Sequence, residues 1–201
     1  MVFYIKDNDR VYFVDILRSD AEGDSINAKD YVLPSNIPIW NTGKDNETVV
    51  AMYSNKMGSY IRYSDYFDVE ELCTKTLVRE VVPKIKDKME QVSFIKDNRL
   101  PNGIFVAKGD QVYRITTKGA AYNEGDYCSI GEYGSEGLFA LKCSVSLPVK
   151  ERINKVVKCV ANAGSFPAYP IAVTDTVTRK LQVFNSEEEF ERNFNPKEGK
   201  E

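Results

Sequence analysis

The chemistry open to this chain is bounded first by a missing side chain, since none of its 201 residues is histidine. Every Ser–His or Cys–His dyad and every imidazole metal ligand is thereby excluded. A general base has to be a carboxylate, a lysine or a terminal amine. Cys73, Cys128, Cys143 and Cys159 form no Cys-x-x-Cys pair, so neither a zinc site nor a redox dithiol is spelled out. They read as small buried hydrophobes in a reducing compartment. The apolar strand and helix contexts of Cys128 and Cys143 should keep those thiols quiet. Glu187-Glu188-Glu189 follows Ser186 and suits the first turn of a helix, where negative charge meets the positive end of the dipole. It requires no metal, and neither metal nor cofactor is expected. The densest set of small and polar groups is the strand end Tyr127-Cys128-Ser129-Ile130 with the turn Gly131-Glu132-Tyr133-Gly134-Ser135. Small residues between a strand and a helix let backbone and side chains crowd together where bulkier neighbours would clash.

The elements that must position this turn follow from periodicity and punctuation. Val2 to Ile5 and Val11 to Leu17 are β-branched and aromatic runs around an Asn8-Asp9 turn, a hairpin at the start of the sequence. Arg18 to Asn27 reads as a loop. Tyr31 to Trp40 holds a short strand whose Pro34 and Pro38 suit an edge. Thr48 to Tyr53 reads as a buried strand, and Met57 to Phe67 as a strand or an irregular insertion. Asp68 with Glu71 signals a helix start, followed by Val69, Leu72, Cys73, Leu77 and Val81 at helical spacing, and Pro83 kinks or splits that helix before Val92. A hairpin over Gly103 to Thr116 turns at Gly109-Asp110. One strand is expected over Tyr122 to Ile130, then helices near Ser135 to Ser144 and Leu147 to Asn162. On the second helix Val149, Ile153, Val156, Val157 and Val160 share one face, and Ala163-Gly164-Ser165 closes it. A final hairpin (Pro170 to Thr174, Lys180 to Phe184) leads to a short helix capped by Ser186 and Glu189.

This order is that of an α+β protein, and alone it leaves the layering open. The length fits a single domain over residues 1–194, with 195–201 a disordered charged tail. A net charge of −3 with scattered Lys and Arg gives no footprint for nucleic acid or an anionic membrane. No segment approaches a bilayer-spanning apolar run and no signal peptide is apparent, so a soluble cytoplasmic protein is expected.

The run Ser129-Ile130-Gly131-Glu132-Tyr133-Gly134-Ser135-Glu136-Gly137-Leu138-Phe139-Ala140-Leu141 resembles the Ile-Gly-Ser-Gly-Gly-x-x-Ala-Leu turn of proteasome β-type and HslV-type subunits, members of the N-terminal-nucleophile (Ntn) hydrolase superfamily. The likeness is best from Asn102 to Val183. It implies a four-layer αββα sandwich, with two mainly antiparallel sheets between helical layers. It also implies a chemistry in which an N-terminal Thr, Ser or Cys attacks while its own amine takes the proton. A lysine lowers that amine's proton affinity, a carboxylate holds the lysine, and the Gly-rich turn stabilises the oxyanion.

Carried over residue by residue, the resemblance leaves a vestigial cleft. It places Met1 or Val2 at the nucleophile position, and neither can attack a carbonyl. Asp15 falls near the family carboxylate, although a cap at a strand end reads as well. Lys29 falls near the family lysine, which directly precedes a Val; here Asp30-Tyr31 displaces that Val, and a solvated surface lysine is the favoured reading. Glu132 replaces the catalytic serine of the turn and Tyr133 the following glycine. Ser129 and Ser135 flank the turn as substitutes, with Ser135 expected to cap the next helix.

Three functions follow. The favoured one is a non-catalytic assembly or binding subunit, a pseudoenzyme forming a homo-oligomer, with a ring as the family's form and a protein partner as a further option. The second is an Ntn-type peptidase or amidohydrolase with an atypical or internally processed nucleophile. The third, nucleic-acid or carbohydrate binding through Tyr53, Tyr60, Tyr63 and Tyr66, competes with the simpler reading that these rings fill sheet faces.

Overall fold

The alternation of the first sixteen residues produces one hairpin. Strand β1 (Val2–Asp7) pairs antiparallel with β2 (Arg10–Ile16), and the Asp7↔Arg10 register leaves Asn8 and Asp9 as a two-residue turn. Asn8 has φ 55°, a left-handed conformation that asparagine tolerates better than most residues. The computed structural model describes residues 1–16, 49–54, 58–63, 72–91, 100, 103–123 and 125–196. The loop and strand expected within residues 18–40, the Asp68–Glu71 helix start and the tail beyond 196 lie outside them.

Two five-stranded antiparallel sheets are formed. The first has the order β10 (Gln182–Phe184), β9 (Ile171–Asp175), β2, β1, β8 (Tyr127–Ile130). The second has β4 (Gly58–Tyr63), β3 (Val49–Ser54), β5 (Gly103–Lys108), β6 (Gln111–Ile115), β7 (Ala121–Tyr122). The strand-or-insertion segment after Met57 is thus a strand, β4, paired to β3 along its length. The single strand expected over Tyr122 to Ile130 is instead two, one in each sheet. Asn123 Oδ1 accepts the Gly125 N–H at 2.7 Å and Gly125 takes φ 86°, a local turn that redirects the chain from the second sheet to the first.

Helix α1 starts at Thr74–Thr76, passes through a π-helical stretch Leu77–Val81 and continues as Val82–Gln91. Pro83 neither splits nor ends it. The Val82 N–H reaches back to the Leu77 carbonyl, and this wider turn just ahead of Pro83 absorbs the missing donor and the ring. Helices α2 (Gly134–Lys142), α3 (Val149–Gly164) and α4 (Glu187–Asn193) follow.

Strand parity divides the core in two. Val2, Tyr4, Val11 and Phe13 face the second sheet, where they meet Phe105, Ala107 and Val112; the Tyr4 and Phe105 rings are 5.0 Å apart, edge to face. Met1, Phe3, Ile5, Val14 and Ile16 face the opposite way, toward the helices, and cluster with Leu141 of α2, Phe190 of α4 and the α3 face Ile153, Val156, Val157 and Val160. The apolar stripe read from the α3 sequence is therefore its buried face. Each of these side chains contributes about 2 kcal/mol by leaving water. Among the described residues no helix is long and apolar enough to cross a membrane.

Candidate functional site

The place to look for chemistry is the end of the first sheet where β1 begins. The Met1 carbonyl accepts the Ile16 N–H at 3.0 Å, which extends the β1–β2 ladder by one residue and fixes Met1 at the sheet's end. The Met1 ammonium lies 3.8 Å from Asp15 Oδ1, with side-chain exposures of only 2% and 0%. Charges so far from water persist only when each compensates the other.

Alternation then sorts the expected residues onto opposite faces. Val2 stands opposite both Asp15 and Ile130, so these three project toward the second sheet. Ser129 stands opposite Phe3 and projects toward the helices. There it lies under α2: a Cβ built on Gly137 would come within 2.7 Å of Ser129 Oγ and 3.0 Å of the Met1 sulfur. The absence of a side chain at 137 is what allows α2 to settle onto β8 and Met1. The Ser129 hydroxyl is buried and makes no hydrogen bond among the described residues. The first sheet therefore stands between the Asp15 carboxylate and the Ser129 hydroxyl, and the two do not converge on one reacting atom. Lys29 lies outside the described residues.

The turn after β8 departs from expectation in its cap. Gly131 takes φ 108°, and Tyr133 occupies the left-handed region (φ 61°, ψ 22°) as N-cap of α2, with no side-chain capping bond. Because the chain turns at Tyr133, Ser135 falls inside the first helical turn and cannot cap it. Its hydroxyl donates to Glu136 Oε2 at 3.1 Å instead. Glu132 and Ser135 are both exposed.

The Tyr133 ring is anchored from the other side. It packs 5.7 Å from the Phe166 ring, and Phe166 folds back over the end of α3, its N–H on the Ala161 carbonyl. Ala163-Gly164-Ser165 closes α3 as expected, with Ser165 (φ 54°) in the left-handed position. Gly164 has another use: a Cβ there would stand 2.1 Å from the Phe166 ring and 3.0 Å from Tyr133. Gly137, Gly164 and Phe166 are thus the residues around the turn that sequence reading missed. The only signal they offered was a glycine inside a helical pattern, which often marks close packing.

Several other polar groups among the described residues are engaged in structure. Glu187 accepts from Lys158 at 2.5 Å and from Asn154 at 2.9 Å, which ties α4 to α3 and holds the Glu187 carboxyl below its usual range. Ser186 Oγ caps α4 by accepting the Glu189 N–H at 3.2 Å. Of the cysteines only Cys128 is buried; Cys143 is exposed, contrary to expectation, because it falls at the C-cap of α2 beyond the buried face. At the far end of the sheet Arg10 and Asp175 form a buried pair at 3.7 Å, and Asp175 Oδ1 accepts the N–H groups of Val177 and Thr178, which fixes the β9–β10 connection.

No family model matches the sequence. No curated protein matches it either. Solved structures do. BPH from Thiobacillus denitrificans, in complex with epoxomicin, aligns over 87% of this chain and 96% of its own, with a TM-score of 0.56 and 11% identity. Anbu, an ancestral beta-subunit from Yersinia bercovieri, aligns over 92% and 87%, with a TM-score of 0.53 and 10% identity. Eukaryotic HslV from Trypanosoma brucei aligns over 87% and 97%, with a TM-score of 0.49 and 12% identity. Across nearly the whole chain, at an identity too low to carry activity with it, this protein has the fold of the proteasome-type subunits of the Ntn-hydrolase superfamily.

Proposed function

We propose that this protein is a proteasome-like subunit without a usable nucleophile, acting in the cytoplasm as a non-catalytic assembly or binding component. Its domain, residues 1–194, is read as a four-layer αββα sandwich, with the helices packed on the first sheet as one outer layer and α1 as the other. The observation that carries the reading is the residue opening β1. Attack on a carbonyl requires an oxygen or sulfur nucleophile there. Met1 offers only a thioether buried against Gly137, and its ammonium is paired with Asp15. Val2 is fully buried in the inter-sheet core and has no reactive atom. The rest of the expected cleft supports the same conclusion: Glu132 and Tyr133 occupy the turn, and Ser129 lies on the wrong face of the sheet.

Intact mass, N-terminal sequencing and labelling test this. Epoxomicin is bound by BPH. The purified chain should show Met1 or Val2 at its terminus and no epoxomicin adduct. A new Ser, Thr or Cys terminus together with an adduct would overturn the reading in favour of an internally processed peptidase. Light scattering should give a particle larger than the 22.8 kDa chain; a strict monomer at high concentration would remove the assembly role.

A further inference from the structure

Arg152 carries a charge that this chain leaves largely uncompensated. The residue is only 6% exposed. Its Nη2 donates to the Leu141 carbonyl at 3.1 Å, and its Cζ lies 4.7 Å from the centre of the Tyr127 ring. Nε is buried and has no hydrogen-bond partner, and no carboxylate among the described residues forms an ion pair with the guanidinium. Burial pulls the Arg152 pKa below its ordinary value, against the opposing fields of Tyr127, Asp126 and Asp7. A buried guanidinium with donors left over is costly, and an anion beside it removes that cost.

A second set of donors stands next to it. Arg152 belongs to the first turn of α3, where its own N–H bonds the Pro148 carbonyl at 2.9 Å. Pro148 is the N-cap, and no side chain caps the helix. Proline has no N–H, so the orphan donors of this end are those of Val149, Lys150 and Glu151. None of the three meets an acceptor among the described residues. Side chains on a helix lean toward its N-terminus, and Arg152 shares the buried face of α3 with Val149. Its bond to Leu141, in the last turn of α2, places the guanidinium between the end of one helix and the start of the next. Ser146 and Pro148 in the connection are exposed, so this end of α3 is open to solvent. Glu151, the one carboxylate of that turn, is exposed, where water screens it.

We propose that the start of α3 and Arg152 together form a binding site for a phosphate group, carried by inorganic phosphate or by a phosphomonoester. The three N–H groups and the positive end of a 16-residue helix meet the oxyanion along the axis. The Arg152 Nε–H adds a charge-assisted bond from the side. Donors arriving from two directions suit a tetrahedral anion with several acceptor oxygens. Tyr127 pairs with Ile5, so the site lies toward the end of β1 remote from Met1. It is therefore independent of what the residue opening β1 does.

Calorimetric titration of the full chain tests this, with inorganic phosphate in one arm and phosphoserine in the other, in chloride buffer of fixed ionic strength. Saturable binding at one site per chain is expected. Tighter binding of phosphoserine assigns the site to a phosphorylated ligand, and equal or tighter binding of inorganic phosphate to the free ion. Arg152→Gln should weaken binding by about tenfold or more. Pro148→Asp places a carboxylate on the Lys150 and Glu151 N–H groups and should abolish saturation. Its fold should persist, because the Pro148 conformation (φ −54°, ψ 149°) is open to aspartate. If Arg152→Gln fails to fold, Pro148→Asp carries the decision. No saturable heat from the unsubstituted chain overturns the proposal. So does binding unchanged by Pro148→Asp, or by an Arg152→Gln protein whose circular dichroism shows it folded.

Discussion

Replacing Gly164 with alanine is the sharpest test of how the turn is held. In most helices this substitution is favourable by up to about 1 kcal/mol, since alanine loses less backbone freedom than glycine. Here the new methyl would stand 2.1 and 2.4 Å from two carbons of the Phe166 ring and 3.0 Å from Tyr133 Cζ. Carbon atoms repel strongly well outside those separations, so the ring has to retreat by more than an ångström. The Phe166 backbone cannot follow easily, because its N–H is bonded to the Ala161 carbonyl at 3.1 Å and Ser165 already occupies the left-handed region. The ring must swing away and lose Tyr133. Overpacking costs about 1–3 kcal/mol and a lost aromatic pair about 1 kcal/mol. Set against the helix gain, Gly164→Ala should destabilise the chain by about 2 kcal/mol. For a chain of this size that lowers Tm by roughly 4–8 °C.

The decisive assay is a cycle of thermal and urea unfolding with Phe166→Ala. Once the ring is gone the methyl has room, and Gly164→Ala should become neutral or stabilising. A sign reversal between the two backgrounds supports the staple; an equal loss in both, or a gain in the wild-type background, refutes the close approach of Phe166 to Gly164.

The other expected outcomes concern charge. Asp15→Asn leaves the Met1 ammonium buried without the carboxylate 3.8 Å away and should cost about 3 kcal/mol, read as a lower urea midpoint at unchanged slope. Burial, reinforced by Asp175 and Asp7 and opposed by Arg10, pushes the Tyr12 hydroxyl from 10.0 up to about 12. Between those values the unfolded chain has lost a proton that the folded one keeps, so stability falls as pH rises through the interval. Tyr12→Phe should flatten that part of the alkaline limb, and an unchanged limb would count against the burial. Glu187 is shifted the other way by its hydrogen bonds from Lys158 and Asn154. Its stabilising contribution is present above the unfolded carboxyl value and lost as pH falls through the lower folded one, so Glu187→Gln should make the acid limb slightly shallower.

Local signals carried most of the architecture. The Asn8-Asp9 and Gly109-Asp110 turns, the α3 stripe from Val149 to Val160 and the Ser186 cap are each decided by neighbours in the chain, and each stands where the pattern puts it. Errors arose where a distant partner decides. Tyr122 and Tyr127 belong to one apolar run, yet the strands that accept them lie in different sheets. Ser135 has the residue type of a cap, but Phe166, more than thirty positions on, helps anchor Tyr133 in the capping place. Cys143 lies in an apolar stretch and is exposed because it stands at the C-cap of α2, beyond that helix's buried face.

The candidate site shows the limit most clearly. Residue types and order suggested that Asp15 and Ser129 flank one cleft. The pairing of Val2 with both Asp15 and Ile130 puts Asp15 on the inter-sheet face and Ser129, one residue before Ile130, on the other. A shift of one residue in either register would have brought the two to the same face. Register between β1 and β8, more than a hundred residues apart, is set by the long-range fit of Phe3 and Met1 against α2 and α3, and of Val2 and Tyr4 against Phe105. A short motif cannot report it. The separation of the hydroxyl from the carboxylate is therefore a property of the sheet, independent of which residue stands at position 1. Placing a Thr at position 1 would leave that separation as it is.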